Sequence, residues 1–124
     1  MLYYFQASPL EPQMDNERRL SPRFSFIAQG ELREEETNTR LNMRVSEISK
    51  TGCYVDMMNP LPSGTPIRLS IAAGGEMFNA KARIIYAVEH MGAGVQFEEV
   101  DSANAPILDR WIGTAQGEQA LAAQ

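Results

Sequence analysis

Residues 78–88 have the sequence FNAKARIIYAV, in which apolar side chains recur at every second position. This alternation is typical of a strand with one face on a core and the other face in water. The predicted inward face consists of Phe78, Ala80, Ala82, Ile84, Tyr86 and Val88. The predicted outward face carries Asn79, Lys81 and Arg83. This segment is the longest of six that share the pattern.

The five other alternating segments lie on either side of it. They cover residues 24–33, 41–46, 53–57, 67–71 and 95–97. A proline-rich stretch at residues 59–66 and the pair Gly74-Gly75 supply turns between them. Six strands with short connections predict an antiparallel barrel or sandwich, and a closed barrel removes the exposed strand edges that promote aggregation.

The spacing of apolar residues becomes helical after residue 101. The apolar stripe consists of Ile107, Leu108, Trp111 and Ile112. We expect Ser102 or Asn104 to cap this helix and Trp111 to pack it against the sheet. Gly113 and Gly117 weaken a continuation, so residues 120–124 are expected to fray. The predicted organisation is a flexible tail at 1–16, a barrel domain at 17–100 and a C-terminal helix with a frayed tail at 101–124.

Composition excludes several classes of site. The chain has 124 residues, 44% of them hydrophobic and 22% charged, which fits one globular domain. Cys53 is the single cysteine and His90 the single histidine, so one chain contains neither a disulfide framework nor a multi-cysteine zinc site. With a single histidine, an HExxH motif or a multi-histidine metal site would have to be assembled from several chains. We expect no enzyme activity and no metal.

Charge and hydropathy limit the partners and the compartment. The net charge of −5 argues against general binding to DNA or RNA, because attraction to phosphates drives such binding. The longest apolar runs are five residues long, which is too short for membrane insertion. No basic residue precedes Arg18, so no secretory signal is expected and the predicted location is cytoplasmic.

Arginines are concentrated ahead of the first strand. Arg18, Arg19 and Arg23 fall within six residues, and nine of the eleven basic residues in the chain are Arg. The planar guanidinium forms two parallel hydrogen bonds to phosphate or to another planar anion. The alternative is a solvated basic patch paired with Asp15 and Glu17.

A second polar element, Glu47-Ile48-Ser49-Lys50-Thr51-Gly52, joins the second and third predicted strands. Glu47 and Ser49 are two residues apart, so their side chains point to the same side of an extended segment while Ile48 points inward. A carboxylate with a nearby hydroxyl suits the edge of guanine, and Gly52 would allow a positive φ and close approach of a ligand. The alternative is that Ser49 and Gly52 form only a turn.

Taken together, Arg19-Leu20-Ser21-Pro22-Arg23 and residues 47–52, followed by strands, resemble the RxxxR and [D/N]xSxxG signature of the PilZ domain family. The resemblance covers roughly residues 17–100. It implies an all-β fold, namely a six-stranded antiparallel β-barrel with a C-terminal α-helix and a flexible N-terminal tail. It also implies binding of the bacterial messenger cyclic di-GMP, with no cofactor.

The resemblance assigns roles to six residues. Arg19 and Arg23 would grip phosphate and guanine, Ser49 would bond a guanine, and Gly52 would leave space for it. An Arg at the position of Arg18 is associated in the family with a stacked pair of cyclic di-GMP molecules. Glu47 departs from the signature, because its carboxylate is one methylene longer than that of Asp, which we expect to cost on the order of 1 kcal/mol in binding.

The charge of such a ligand leads to a hypothesis for the mechanism, because ordering a free segment costs entropy that only a multiply charged ligand should offset. Ligand binding would order the arginine segment and signal to a protein partner in motility, biofilm or polysaccharide control. The alternative is a PilZ-like adaptor that binds a protein partner and no nucleotide. A small oligonucleotide-binding barrel is disfavoured because it needs aromatic residues exposed along a basic groove.

Overall fold

Six strands and one helix follow one another in the predicted order. The computed structural model describes residues 21–122, with the side chain of the last of these excluded. The strands are β1 (Phe24–Glu34), β2 (Arg40–Ile48), β3 (Gly52–Asp56), β4 (Pro66–Ala73), β5 (Glu76–Val88) and β6 (Gly92–Glu99). The helix α1 spans Ala105–Ala122. The predicted fold class, a six-stranded β-barrel with a C-terminal helix, is confirmed.

The strands close into a barrel in the order β1-β2-β3-β6-β5-β4, and every neighbouring pair is antiparallel. Four of the pairs are hairpins between consecutive strands. The connection between β3 and β4 carries the chain past β6 and β5 before it enters the sheet again at Pro66. The prolines of this connection lie outside the strand interiors, where a missing N–H would break the ladder.

The barrel interior is filled by the inward-facing residues of the alternating pattern. Side chains with no exposed surface include Leu32, Val45, Ile48, Val55, Ile67, Ile71, Phe78 and Ile84. Each such side chain contributes about 1.5–3 kcal/mol of burial free energy, which makes this interior the main source of stability. The period-two prediction therefore holds through the barrel up to Ile84.

The end of β5 departs from the prediction. Tyr86 and Val88 were expected to face inward, but they are 42% and 43% exposed. The β5–β6 register shifts between Ile84 and Tyr86, which is a β-bulge. The extra residue reverses the alternation, because two residues of β5 then oppose one residue of β6. Tyr86 consequently lies on the outer face opposite Gly94.

The start of α1 is fixed by a short polar turn. Asn104 directly precedes the helix, as predicted, and its carbonyl accepts the N–H of Ile107. Its side chain does not cap the helix, because Asn104 Oδ1 accepts the N–H of Asn79 on β5 at 2.7 Å. Asp101 Oδ1 accepts the N–H groups of Ala103 and Asn104, both at 3.0 Å. The turn therefore ties the helix to the barrel.

Trp111 packs α1 against the barrel, which confirms the predicted role. Its ring stacks on Phe26 with centroids 5.2 Å apart and lies 6.0 Å from Phe78. A salt bridge between Arg110 and Glu76 adds a polar contact to the same docking surface. The opening residues of β1 and β5 are thereby joined to the helix.

Residues 120–122 of the end that was expected to fray are helical, and residues 123–124 lie outside the described residues. The helix continues through Gly113 and Gly117 to Ala122. Ala115 lies between these glycines and is 2% exposed, so burial holds the intervening turn. A helical Gly costs about 1 kcal/mol relative to Ala, which packing can offset. No helix within residues 21–122 is long and apolar enough to cross a membrane.

Candidate functional site

The pairing of β1 with β2 places the two polar sequence elements side by side. Phe24 lies opposite Ile48, and Ser25 lies opposite Glu47. Arg23 immediately precedes this paired region, and its Nη1 lies 3.6 Å from Glu47 Oε1. The end of the arginine element and the start of the second element therefore meet at one end of the barrel.

The Arg23–Glu47 pair is accessible to solvent. The side chains are 49% and 44% exposed, so water screens the attraction and the pair contributes little net stability. At 3.6 Å the contact is also longer than a charge-assisted hydrogen bond. Arg23 can therefore leave Glu47 for a better-fitting anion at small cost.

Ser49 organises the turn between β2 and β3. It is 4% exposed, and its Oγ accepts the N–H groups of Thr51 at 3.2 Å and Gly52 at 3.1 Å. The N–H of Ser49 donates to the Gly52 carbonyl at 2.8 Å. These bonds confirm that Ser49 and Gly52 form a turn. Among the described residues, the acceptors near the hydroxyl hydrogen are the Gly52 carbonyl at 3.3 Å and Thr51 Oγ1 at 3.5 Å.

Packing against a neighbouring strand also requires glycine at position 52. Its φ is not among the positive values of the chain, so the expected left-handed conformation is absent. A Cβ on Gly52 would lie 2.0 Å from the carbonyl oxygen of Val95 on β6. The neighbouring strand therefore approaches Gly52 closely, because β3 begins there opposite Gln96. The space that Gly52 was predicted to leave for a ligand stays a prediction.

Two of the six predicted site residues, Arg18 and Arg19, lie outside the described residues. The same is true of the predicted tail at residues 1–16 and of the alternative pairing with Asp15 and Glu17. The remaining four residues, Arg23, Glu47, Ser49 and Gly52, lie along one continuous path from the start of β1 to the start of β3.

The structure adds a tyrosine pair that the sequence analysis did not assign to the site. Tyr54 lies opposite Glu47 on the outer face, and its ring centroid is 6.3 Å from that of Tyr86. Desolvation raises the pKa of Tyr54, with smaller contributions from Tyr86 and from nearby carboxylates. The alternation placed Tyr54 outward correctly, but the bulge that brings Tyr86 beside it has no signal in the local pattern.

Among residues 21–122, the other reactive groups form neither a nucleophile nor a metal site. Burial raises the pKa of the Cys53 thiol to about 12, so this thiol is not a ready nucleophile. Within residues 21–122, no group of three His, Cys, Asp or Glu side chains is placed to hold a metal ion. The chemistry that the site offers is recognition through a guanidinium, a carboxylate, a hydroxyl and aromatic rings.

Solved structures similar to this fold include two PilZ domains. The PilZ domain of CeSA from a cellulose-synthesizing bacterium matches with 21% identity and a TM-score of 0.57, over 78% of this chain and 97% of that one. The PilZ domain of YcgR from Escherichia coli, solved with c-di-GMP, matches with 17% identity and a TM-score of 0.67 over 86% and 97% of the respective chains.

The third structure is MotI/DgrA, an inhibitor of motility from Bacillus subtilis. It shares 17% identity and a TM-score of 0.67, over 91% of this chain and 56% of that one. No curated protein matches the chain in sequence. At these identities the structural likeness establishes the fold.

The family itself follows from the sequence model. The PilZ domain model matches residues 17–113, which is most of the chain. PilZ domains are non-enzymatic binding or adaptor domains, and the family is one of c-di-GMP receptors. Because this model covers most of the chain and the strands close into a six-stranded barrel, the chain belongs to the PilZ domain family.

Proposed function

We propose that the protein is a cyclic di-GMP receptor whose binding site includes Arg23, Glu47 and Ser49. The observation that carries the proposal is the 3.6 Å contact between Arg23 and Glu47, which joins the two signature elements. One element supplies cations for phosphate, and the other supplies a carboxylate and a hydroxyl for guanine. A cyclic dinucleotide presents both kinds of group at once.

Guanine recognition is assigned to Glu47 and Ser49. The Glu47 carboxylate accepts hydrogen bonds, and guanine offers its ring N–H and its exocyclic amine on one edge. The Ser49 hydroxyl donates to the Gly52 carbonyl at 3.3 Å, and ligand binding would exchange this long bond for one to guanine. Tyr54 lies opposite Glu47 and gives the guanine an apolar surface next to the carboxylate.

Phosphate recognition is assigned to the arginines. Binding transfers Arg23 from its exposed contact with Glu47 to a phosphate, where the guanidinium makes shorter bidentate bonds. Arg19 joins it from the other end of the RxxxR element. Arg18 extends the cationic surface, and we assign to it the binding of a second, stacked cyclic di-GMP molecule.

Binding is converted into a signal by ordering the arginine segment on the barrel. Ordering backbone costs free energy, so a dianionic ligand that engages several arginines at once is needed. The ordered surface next to Phe26 and Trp111 is then recognised by a protein partner. We place this action in the cytoplasm, in control of motility, biofilm formation or polysaccharide synthesis.

Titration calorimetry with cyclic di-GMP tests the proposal directly. We expect saturable binding, with two nucleotides per chain if Arg18 supports a stacked pair. Amide exchange across residues 16–23 should slow in the complex. Absence of binding at millimolar ligand would reject the receptor function, whereas binding with unchanged exchange would reject only the ordering step.

An adaptor that binds no nucleotide is the second candidate. The Arg23–Glu47 contact favours this adaptor, because the Glu47 carboxylate already pairs with the guanidinium that would otherwise bind a phosphate. The two candidates differ in one measurement. An adaptor gives no heat with cyclic di-GMP for either the wild-type protein or Glu47→Asp, whereas a receptor gives heat for both.

A further inference from the structure

Four cationic side chains form a row across the outer face of the barrel, which we call the cationic row. In the strand registers, Arg33 lies opposite both Arg40 on β2 and Arg68 on β4, and Arg68 lies opposite Lys81 on β5. Arg33 is ten residues from Arg23 along β1, a separation of about 30 Å for an extended strand. The row is therefore separate from the proposed cyclic di-GMP site.

Such a row is unfavourable in a protein without a ligand. Side chains directly opposite each other on antiparallel strands have Cβ atoms about 5 Å apart, and like charges at these positions destabilise the sheet. The chain as a whole carries a net charge of −5, so three successive cation–cation pairs depart from its general character.

Carboxylates compensate only part of this charge. Arg40 pairs with Glu31 at 3.3 Å, and Arg68 pairs with Glu35 at 3.1 Å. Arg33 donates to the neutral oxygen of Asn38 at 2.8 Å. Within the described part of the chain, neither Arg33 nor Lys81 makes a salt bridge with a carboxylate.

The cationic row lines a concave groove with a volume of about 440 Å³. This volume lies within the usual range of small-ligand sites. Ser70 and Asn79 contribute polar groups to the lining. The carboxylates of Glu31, Glu99 and Asp101 line the groove as well, and Glu99 on β6 lies opposite Lys81. The carboxylate of Asp101 is already bonded to backbone N–H groups of the turn before α1, so it opposes an incoming anion less than a free carboxylate would.

We propose that this groove is a second binding site, which takes a small polyphosphorylated anion. Arginine forks match phosphate oxygens, and Lys81 adds a compact charge at the end of the row. Four neighbouring strands span about 14 Å, a distance that long side chains close around one small ligand. A bound polyanion also removes the repulsion between opposed cations. The concave shape favours a small ligand over the acidic face of a protein.

Tripolyphosphate is the probe for this site. Titration at fixed ionic strength, followed by amide and arginine side-chain NMR signals, should give saturable shifts centred on Arg33 and Arg68. The variant Arg33→Gln should weaken binding at least about tenfold, because it removes a charged hydrogen-bond donor at the centre of the row. The matched control Arg44→Gln removes an exposed arginine paired with Asp56 and should leave the affinity unchanged.

The design separates the two sites. Arg23→Ala should bind tripolyphosphate as the wild type does, whatever its effect on cyclic di-GMP. The proposal would be overturned if Arg33→Gln and Arg44→Gln lost equal affinity for tripolyphosphate. NMR shifts that do not saturate would also overturn it. So would binding of a polyglutamate peptide in the groove without binding of tripolyphosphate, since that result identifies a protein-docking surface. Displacement of tripolyphosphate from the row by cyclic di-GMP would also overturn it.

Discussion

Arg23 and Glu47 are 24 positions apart in sequence, yet the guanidinium of one lies 3.6 Å from the carboxylate of the other. The β1–β2 register creates this proximity, because Ser25 is opposite Glu47. The contact makes Glu47 both a candidate guanine acceptor and a competitor for the phosphate-binding arginine. The first two predictions follow from this dual role.

Arg23→Ala should weaken cyclic di-GMP binding about tenfold or more, because it removes charge-assisted bonds worth roughly 1.5–3 kcal/mol. Ser49→Ala should weaken it less, since the hydroxyl makes a neutral contact. Calorimetry on both variants measures which substitution weakens cyclic di-GMP binding more. Arg83→Ala is the control, because Arg83 is an exposed arginine paired with Glu98 at 2.7 Å. An Arg23→Ala protein with wild-type affinity would remove Arg23 from the site.

Glu47→Asp should tighten cyclic di-GMP binding by up to about tenfold, which corresponds to 1.4 kcal/mol. The shorter side chain restores the length that the family signature has and lengthens the competing contact with Arg23. Calorimetric titration of Glu47→Asp and Glu47→Gln separates the effect of side-chain length from the effect of the competing contact with Arg23. Glu47→Gln keeps the length and loses the charge, so it should free Arg23 but bind guanine less well. Weaker binding by Glu47→Asp than by the wild type would contradict the expected role of length.

Gly52→Ala should lower the free energy of unfolding by about 1–3 kcal/mol, because the new Cβ would lie 2.0 Å from the Val95 carbonyl oxygen and the strands would have to separate. Urea denaturation measures the change. Gly113→Ala is the matched control, since a Cβ there meets nothing within 4 Å. It should stabilise α1 by about 0.5–1 kcal/mol. Equal effects of the two substitutions would show that packing against Val95 is unimportant.

Trp111→Ala should lower the free energy of unfolding by about 3–5 kcal/mol, because it removes the ring that stacks on Phe26 and contacts Phe78. Thermal unfolding followed by circular dichroism measures the loss. Leu121→Ala serves as the control, since this α1 side chain is 73% exposed and should change stability very little. A Trp111→Ala protein as stable as the control would mean that the helix does not dock through this ring.

Stability should fall with rising pH above pH 9 because of Cys53. Burial raises the pKa of this thiol from 9.0 to about 12, so the unfolded chain loses its proton at a lower pH than the folded one. The contribution is therefore fully present below pH 9 and is lost as the pH rises towards 12, at about 1.4 kcal/mol per pH unit. Urea denaturation at pH 8 and pH 10.5 measures this loss. In Cys53→Ala, the free energy of unfolding should fall less between pH 8 and pH 10.5 than it does in the wild type. An equal fall in both proteins would rule out the thiol as its source.

Local patterns predicted most of the barrel. The inward positions from Leu32 to Ile84, the turn at Gly74-Gly75 and the apolar stripe of α1 all agree with the structure. The errors fall where a local rule was overridden by packing. Burial of Ala115 carries α1 past two glycines, and a bond to Asn79 takes the side chain of Asn104 away from the helix end.

The candidate site was predictable in part. The spacing of Arg19, Arg23 and residues 47–52 indicated the family, and the family model confirms that membership. The sequence could not show that Gly52 faces the Val95 carbonyl, since that contact lies across a strand pair 43 positions apart in the chain. Tyr86 was missed because one bulged residue reverses every side chain that follows it in the strand.

By itself, the sequence determined the strands, the turns, the helix and the two signature elements, because each depends on residues close together in the chain. Only the tertiary structure decided which side chains meet: Arg23 with Glu47, Tyr54 with Tyr86, and Arg33 between Arg40 and Arg68. The physical reason is register. Barrel closure fixes the alignment of distant strands, and a shift of one residue would turn each of these side chains to the opposite face.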